Sequence, residues 1–249
     1  MTGKEIRQIQ MENKISREIM VGPSMCDSKA RMTFTACVNL FMDMATVHAE
    51  MIGNGPTVLT PKGLFWITAK TRIRILRAPL LTETVTVSTW PEKPGAFKGD
   101  RDYEITSGDS ILVLGKTEWC VIDFGTKRPA RVKSVYPEGM EYLDDVSIPE
   151  GFEKINDTFE ADPYATHKVD SSDIDIGGHM NNGAYVRALM STFSVKELND
   201  LKPTSLEIVY LESCYEGDIL YFRREITENG INIRMDLRNG RTAALAKLS

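Results

Sequence analysis

One order of elements, stated twice in 249 residues, constrains this chain more than any other feature. Leu40, Phe41, Met44, Ala45, Val47, His48 and Met51 recur at three-to-four-residue spacing, which predicts a helix over 35–52 with Gly53 as its stop. Strand-like segments follow over 65–76, 84–90, 97–105 and 111–124; in the first, Ile73 and Ile75 alternate with Arg72 and Arg74, the pattern of a sheet with one wet face. Pro91, Pro94, Gly95 and the Ser107-Gly108-Asp109 turn separate them. Residues 136–163 carry prolines, glycines and acids without periodicity and read as a linker. The order then returns: a strand over 166–169, a glycine turn, and a helix over 180–198 striped by Tyr185, Ala188, Leu189, Thr192 and Phe193. Strands over 205–215, 219–226, 231–237 and 243–248 complete it.

A helix and then a run of antiparallel strands, twice over, is the output of a duplicated α+β unit. A sheet wrapped around one long helix is the hot-dog arrangement. The expected fold is therefore a tandem (double) hot-dog, with an N-terminal half over 1–150, a linker over 151–163 and a C-terminal half over 164–249.

Composition then narrows the function. A net charge of −5, with no basic run interleaved with aromatics, argues against a nucleic-acid partner. No apolar run reaches the roughly 18 residues of a membrane span, and the opening MTGKEIRQIQMENK lacks the layout of a signal peptide, so a cytoplasmic protein with no membrane role is expected. Cys26, Cys37, Cys120 and Cys214 are scattered without CxxC spacing and read as reduced thiols; neither a metal nor a cofactor is expected. Two local basic clusters, Arg72/Arg74/Arg77 and Lys127/Arg128/Arg131/Lys133, are either solvated faces or a docking surface.

The chemistry concentrates in Ser172-Asp173-Ile174-Asp175-Ile176-Gly177-Gly178-His179-Met180-Asn181-Asn182, followed by Tyr185. Two acids, a glycine turn, a histidine and two asparagines at a helix start gather around its free N–H groups and positive end. A thioester carbonyl placed there would be polarised, and one such donor to the oxyanion can be worth roughly 3 kcal/mol of barrier. The plain alternative is a capped helix, with Asp175 or Asn181 as the cap. A cap needs one or two of these residues, not the whole set. Asp175 and His179 have no second histidine beside them, which makes a metal site the weaker reading.

Ser172, Asp173, Asp175, His179, Asn181, Asn182 and Tyr185 resemble the S-D-x-D-x-N-x-H-x-N-N-x-x-Y pattern of the acyl-acyl carrier protein thioesterases of plants and bacteria, which are double hot-dog enzymes. Asn39 and His48, Trp66, Pro79, Thr89-Trp90, Arg101-Asp102-Tyr103, and Tyr210 with Cys214 extend the resemblance over most of the chain. It implies hydrolysis of fatty acyl thioesters on acyl carrier protein, with Asp175 as general base or nucleophile and His179 as its proton-transfer partner. Partial burial is expected to raise the basicity of Asp175. Asn181, Asn182, Tyr185 and Gly178 are expected to bind substrate.

Two positions depart from the pattern: Gly177 replaces the family's catalytic asparagine, and Ser213 its glutamate. On an unbulged strand Glu212 and Cys214 share a face, so Glu212 is a candidate replacement carboxylate. Cys214 paired with His179 is an alternative nucleophile. No acid-glycine-His-Asn run precedes the first helix, so one active site per chain is expected, with Phe41, Met42, Met44, Met51 and Trp66 as candidates for shaping an acyl pocket. An acyl-CoA thioesterase and a non-catalytic acyl-binding protein are the competing readings. Exposed sheet edges make a homodimer plausible.

Overall fold

A computed structural model describes residues 13–249; most of the opening run read above for a signal peptide lies outside them. The strands are β1 (Ile15–Met20), β2 (Leu64–Ile75), β3 (Thr84–Pro91), β4 (Gly99–Ser107), β5 (Ser110–Asp123) and β6 (Arg128–Ala130), then β7 (Ala165–Lys168), β8 (Ser205–Tyr210), β9 (Ile219–Thr227), β10 (Gly230–Leu237) and β11 (Thr242–Leu248). The helices are α1 (Phe34–Met51), α2 (Pro56–Leu59), α3 (Asn182–Ser191) and α4 (Val195–Leu201).

All strands join one antiparallel sheet in the order β1-β3-β4-β5-β2-β8-β11-β10-β9-β7, with the short β6 hanging on β5. Read outward from the central β2–β8 seam, the left half runs 2-5-4-3-1 and the right half 8-11-10-9-7. Each β1–β5 strand thus has a counterpart in β7–β11, the topological mark of a repeated unit. The molecule is a double hot-dog: α1 and α3 lie on the same side of this sheet, and residues of both, among them Phe41, Val38, Tyr185 and Leu189, belong to one continuous apolar core with Ile73, Tyr103, Leu206 and Ile233 of the strands. Thr33 caps α1 by accepting the Ala36 N–H at 3.2 Å.

Two expectations need correction. The second long helix is two: α3 stops, and Ser194 starts α4 with a reciprocal box in which its Oγ accepts the Glu197 N–H while Glu197 accepts the Ser194 N–H. The strand expected over 205–215 ends at Tyr210, so residues 211–214 form a connection and the shared face argued for Glu212 and Cys214 does not exist. The stretch read as a linker packs against the sheet. Ile148, Ile155 and Phe159 are buried, and its carbonyls at Gly151, Asp157 and Phe159 accept from Arg72 and Arg234 across the sheet.

Candidate active site

The loop leading into α3 is fixed by backbone bonds at both ends. A short turn, Ser171–Asp173, is capped by Asp170 in a reciprocal box. The chain then doubles back: the Asp175 N–H donates to the His179 carbonyl (2.9 Å) and the Asn181 N–H to the Asp173 carbonyl (2.8 Å). Gly178 makes the reversal at φ +77°, where a Cβ is disfavoured. The Met180 N–H donates to the Cys214 carbonyl at 2.8 Å, which ties the loop to the β8–β9 connection. Asn181 caps α3, its Oδ1 accepting the Gly183 N–H at 2.7 Å.

Asp175 and His179 converge on Gly177 rather than on each other. A Cβ added at Gly177 would lie 3.1 Å from Asp175 Oδ1 and 3.5 Å from His179 Nδ1. The bare glycine thus leaves a small space flanked by a carboxylate and an imidazole. Asp175 Oδ1 also accepts the Gly177 N–H (2.7 Å), and the His179 ring rests on Tyr215 with centroids 5.1 Å apart. A cleft of about 460 Å³ opens beside them, lined by Ser171, Ile174, Gly178, Tyr215 and Glu216. Asp175 is exposed, against the partial burial expected of it.

Cys214 and His179 are held in different surroundings. Cys214 is fully buried, and burial, aided by the charge of Asp218, pushes its thiol up against a smaller opposing effect of the Tyr185 hydroxyl. That is the environment of an inert thiol, not of a nucleophile. Tyr185 also donates to the Glu212 carbonyl at 3.1 Å, while the Glu212 carboxylate is taken by Arg241. Asn182 points the other way: its Nδ2 donates to Thr68 Oγ1 (2.7 Å) beside Met42, so the α3 end reaches into the N-terminal half.

Sequence reasoning gave Asp173 no role, yet it anchors the loop. It is buried, accepts from His167 Nε2 (2.7 Å) and the Asp170 N–H (3.2 Å), and pairs with Arg187. Burial alone would raise its carboxyl, but these donors outweigh burial and hold it below the usual range. Its place in the S-D-x-D run was the available signal. Tyr215, packed on His179, carried none.

The two basic clusters separate. Arg72 is buried between Glu153 and Glu207, Arg74 pairs with Glu150 and Arg77 with Glu83, so this cluster is neutralised internally and offers no docking surface. Lys127, Arg128, Arg131 and Lys133 are exposed around β6. That patch flanks the Leu64 end of β2, four residues from the Thr68 that meets Asn182, or about 13 Å along the strand.

Two hot-dog units fused into one sheet, with an acid and a histidine on the loop before the second central helix, define the class of this molecule. The N-terminal domain model of the acyl-ACP thioesterases matches residues 12–139 and the C-terminal domain model residues 156–248, and the chain belongs to that family. It is 24% identical over 237 residues to an oleoyl-acyl carrier protein thioesterase of Coriandrum sativum, covering 85% of this chain and 63% of the relative. An Arabidopsis thaliana oleoyl-acyl carrier protein thioesterase gives the same 24% over 235 residues, and the chain likewise spans 63% of its length. The fold matches the crystal structure of an acyl-ACP thioesterase from Bacteroides thetaiotaomicron with a TM-score of 0.86 at 22% identity, over 95% of this chain and 97% of that one. A 12:0-ACP thioesterase from Umbellularia californica gives 0.81 at 16%, over 96% and 97%.

Proposed function

We propose that this chain hydrolyses fatty acyl thioesters carried on acyl carrier protein and releases the free acid. Asp175 takes a proton from water as it attacks the thioester carbonyl, the N-terminal end of α3 faces the developing oxyanion, and His179 gives a proton to the departing thiolate. The observation that carries this reading is the convergence of Asp175 Oδ1 and His179 Nδ1 on the bare Gly177 beside the cleft. A bound acyl carrier covering the exposed Asp175 would supply the burial that makes a carboxylate a useful base. Gly178, Asn181, Asn182 and Tyr185 shape the loop and its surroundings, and Cys214 and Glu212 serve as structural supports. The division of labour runs between the halves: residues 1–150 receive the acyl chain, 164–249 carry the chemistry and 151–163 join them. Four unbridged cysteines favour a reducing, cytoplasmic setting.

The exposed Lys127/Arg128/Arg131/Lys133 patch supports an acidic carrier, and CoA phosphates are the competing ligand for such residues. Turnover of one acyl group on both carriers tests the proposal. A kcat/KM on acyl carrier protein well above that on CoA is expected; the reverse order would make it an acyl-CoA thioesterase, and binding without release of free acid would make it an acyl-binding protein.

A further inference from the structure

The connection that borders the cleft has a twin in the N-terminal half, and the two differ in the residue that meets the neighbouring loop. The β8–β9 connection, 211–218, carries Cys214 and Tyr215; the β2–β3 connection, 76–83, carries Pro79 and Leu80. The Met180 N–H donates to the Cys214 carbonyl and the Met32 N–H to the Pro79 carbonyl, each at 2.8 Å. In the first turn the Tyr215 N–H donates to Asp218 Oδ2 (2.9 Å) and the Asp218 N–H to the Tyr215 carbonyl (3.0 Å). In the second, the Leu80 N–H donates to Glu83 Oε2 (2.9 Å) and the Glu83 N–H to the Leu80 carbonyl (3.0 Å). Gly217 and Thr82 both stand at positive φ, +93° and +67°. Tyr215 and Leu80 therefore occupy equivalent places, each beside the loop that precedes a central helix.

What each residue meets is different. Leu80 bridges Arg31, whose guanidinium is already fixed by Asp27 through Nε (2.9 Å) and Nη2 (2.6 Å). Tyr215 meets His179 ring to ring, with centroids 5.1 Å apart and planes inclined at 59°. Asp175 does not fix that imidazole as Asp27 fixes Arg31, and among the described residues neither ring nitrogen of His179 has a hydrogen-bond partner. An unpaired Asp175 keeps its basicity but leaves the imidazole without a polar tether. An untethered ring samples several rotamers, and misplacing a reacting group by about 1 Å can cost about 10² in rate. Packing on an aromatic ring meets both demands, because it narrows the imidazole's orientation and engages neither nitrogen.

We propose that Tyr215 is a positioning residue for the hydrolysis: its ring holds the His179 imidazole beside the cleft, toward the space at Gly177 that Asp175 also borders. The inference rests on the reading of Asp175 and His179 as the proton-transfer pair. Tyr215 acts through His179, and the packing needs its ring rather than its hydroxyl. Tyr215 is 53% exposed, so the fold leans little on it.

The test puts the residue type of the twin connection at 215 in the full chain. With an acyl carrier protein thioester, Tyr215→Leu is expected to lower kcat about tenfold and leave KM within about twofold, while Tyr215→Phe keeps at least about half of the wild-type kcat. In a His179→Ala background Tyr215→Leu should have no further effect, because it acts through the imidazole. Proton NMR gives a readout free of turnover. The chain has 3 histidines, so His179→Ala identifies the His179 ring-proton signals; their ring-current displacement should persist in Tyr215→Phe and vanish in Tyr215→Leu. Wild-type kcat in a folded Tyr215→Leu protein, or equal losses in the Leu and Phe variants, overturns the inference. Absence of hydrolysis by wild type would overturn the thioesterase reading instead, and the ring-proton displacement would still decide whether Tyr215 holds the imidazole.

Discussion

The loops before α1 and α3 follow one backbone plan and end in opposite chemistry. Pro23–Met25 and Ser171–Asp173 form matching turns, Cys26 bridges Met32 as Ile174 bridges Met180, and the Asp27 N–H donates to the Arg31 carbonyl (2.8 Å) as Asp175 does to His179. Thr33 and Asn181 cap the helices that follow. Ala30 even holds the left-handed position of Gly178, at φ +58°. The side chains differ. Asp27 commits its carboxylate to Arg31 at 2.6 Å, and that pairing, with two backbone donors, outweighs burial and keeps its carboxyl below the usual range. Arginine never gives up its proton, so the pair is inert. In the second loop the cation's position belongs to His179, a side chain that can both take and give a proton, and Asp175 keeps an open oxygen face. Backbone geometry is therefore shared structure, and the proposed mechanism places competence at two side chains.

Converting one loop into the other breaks the comparison most strongly. His179→Arg should recreate the inert pair with Asp175 and lower turnover of acyl carrier protein substrates by about 10² or more, as loss of a proton-transfer group does. Its thermal midpoint should stay close to wild type, as measured by circular dichroism. Retained turnover would show that the imidazole is not needed.

Next comes the anchor. Asp173→Ala removes a buried carboxylate with three donors and should cost about 2 kcal/mol in urea unfolding. The pH dependence carries a sign. Because the folded carboxyl sits low, Asp173 contributes above the unfolded value of about 3.9, and that contribution is lost as pH falls through the folded value. The N-terminal half supplies a contrast in Asp102, which burial pushes up to about 7 against the Ser147 hydrogen bond and Lys116. Its favourable contribution is complete below about 3.9 and declines as pH rises toward 7. Asp173→Asn should thus flatten the acid limb of the stability profile and Asp102→Asn the neutral one; exchanged effects would refute both assignments.

Much of this was legible beforehand. The period of α1 persists for its full length, and the 172–182 run declared its helix start. The break between α3 and α4 was hidden because the apolar stripe of Ala188, Leu189, Thr192 and Phe193 runs unbroken up to it, although Ser194-x-x-Glu197 was readable as a capping box. β1 was missed because its burial does not alternate cleanly at a sheet edge. The sister loop was invisible for a physical reason: Lys29, Ala30 and Arg31 replace the glycines and histidine that mark its partner, while the backbone bonds that define it leave no mark in side-chain identity. Glu212 was misjudged because its fate depends on Arg241, a partner that no local period reveals.

Smaller effects sharpen the picture. Glutamate reversals at Lys127, Arg128, Arg131 and Lys133 should raise KM for acyl carrier protein substrates by about tenfold while leaving short synthetic thioesters unchanged, since docking charge acts on encounter. Equal effects on both would make the patch structural. Gly178→Ala should cost about 1 kcal/mol in urea unfolding because it places a Cβ at φ +77°, whereas Ala30→Gly should gain less than about 1 kcal/mol, strain relief being offset by unfolded-chain entropy.

The central claim is that one carboxylate of the two does the chemistry, and a matched pair of substitutions tests it directly. Asp175→Asn and Asp27→Asn each remove a charge from the same place in the two loops, and both should leave the protein folded. In one acyl carrier protein hydrolysis assay, Asp175→Asn should lower kcat by about 10² or more while Asp27→Asn stays at the wild-type rate. A folded Asp175→Asn protein turning over as fast as wild type would contradict the account and leave the second loop, like the first, a helix cap.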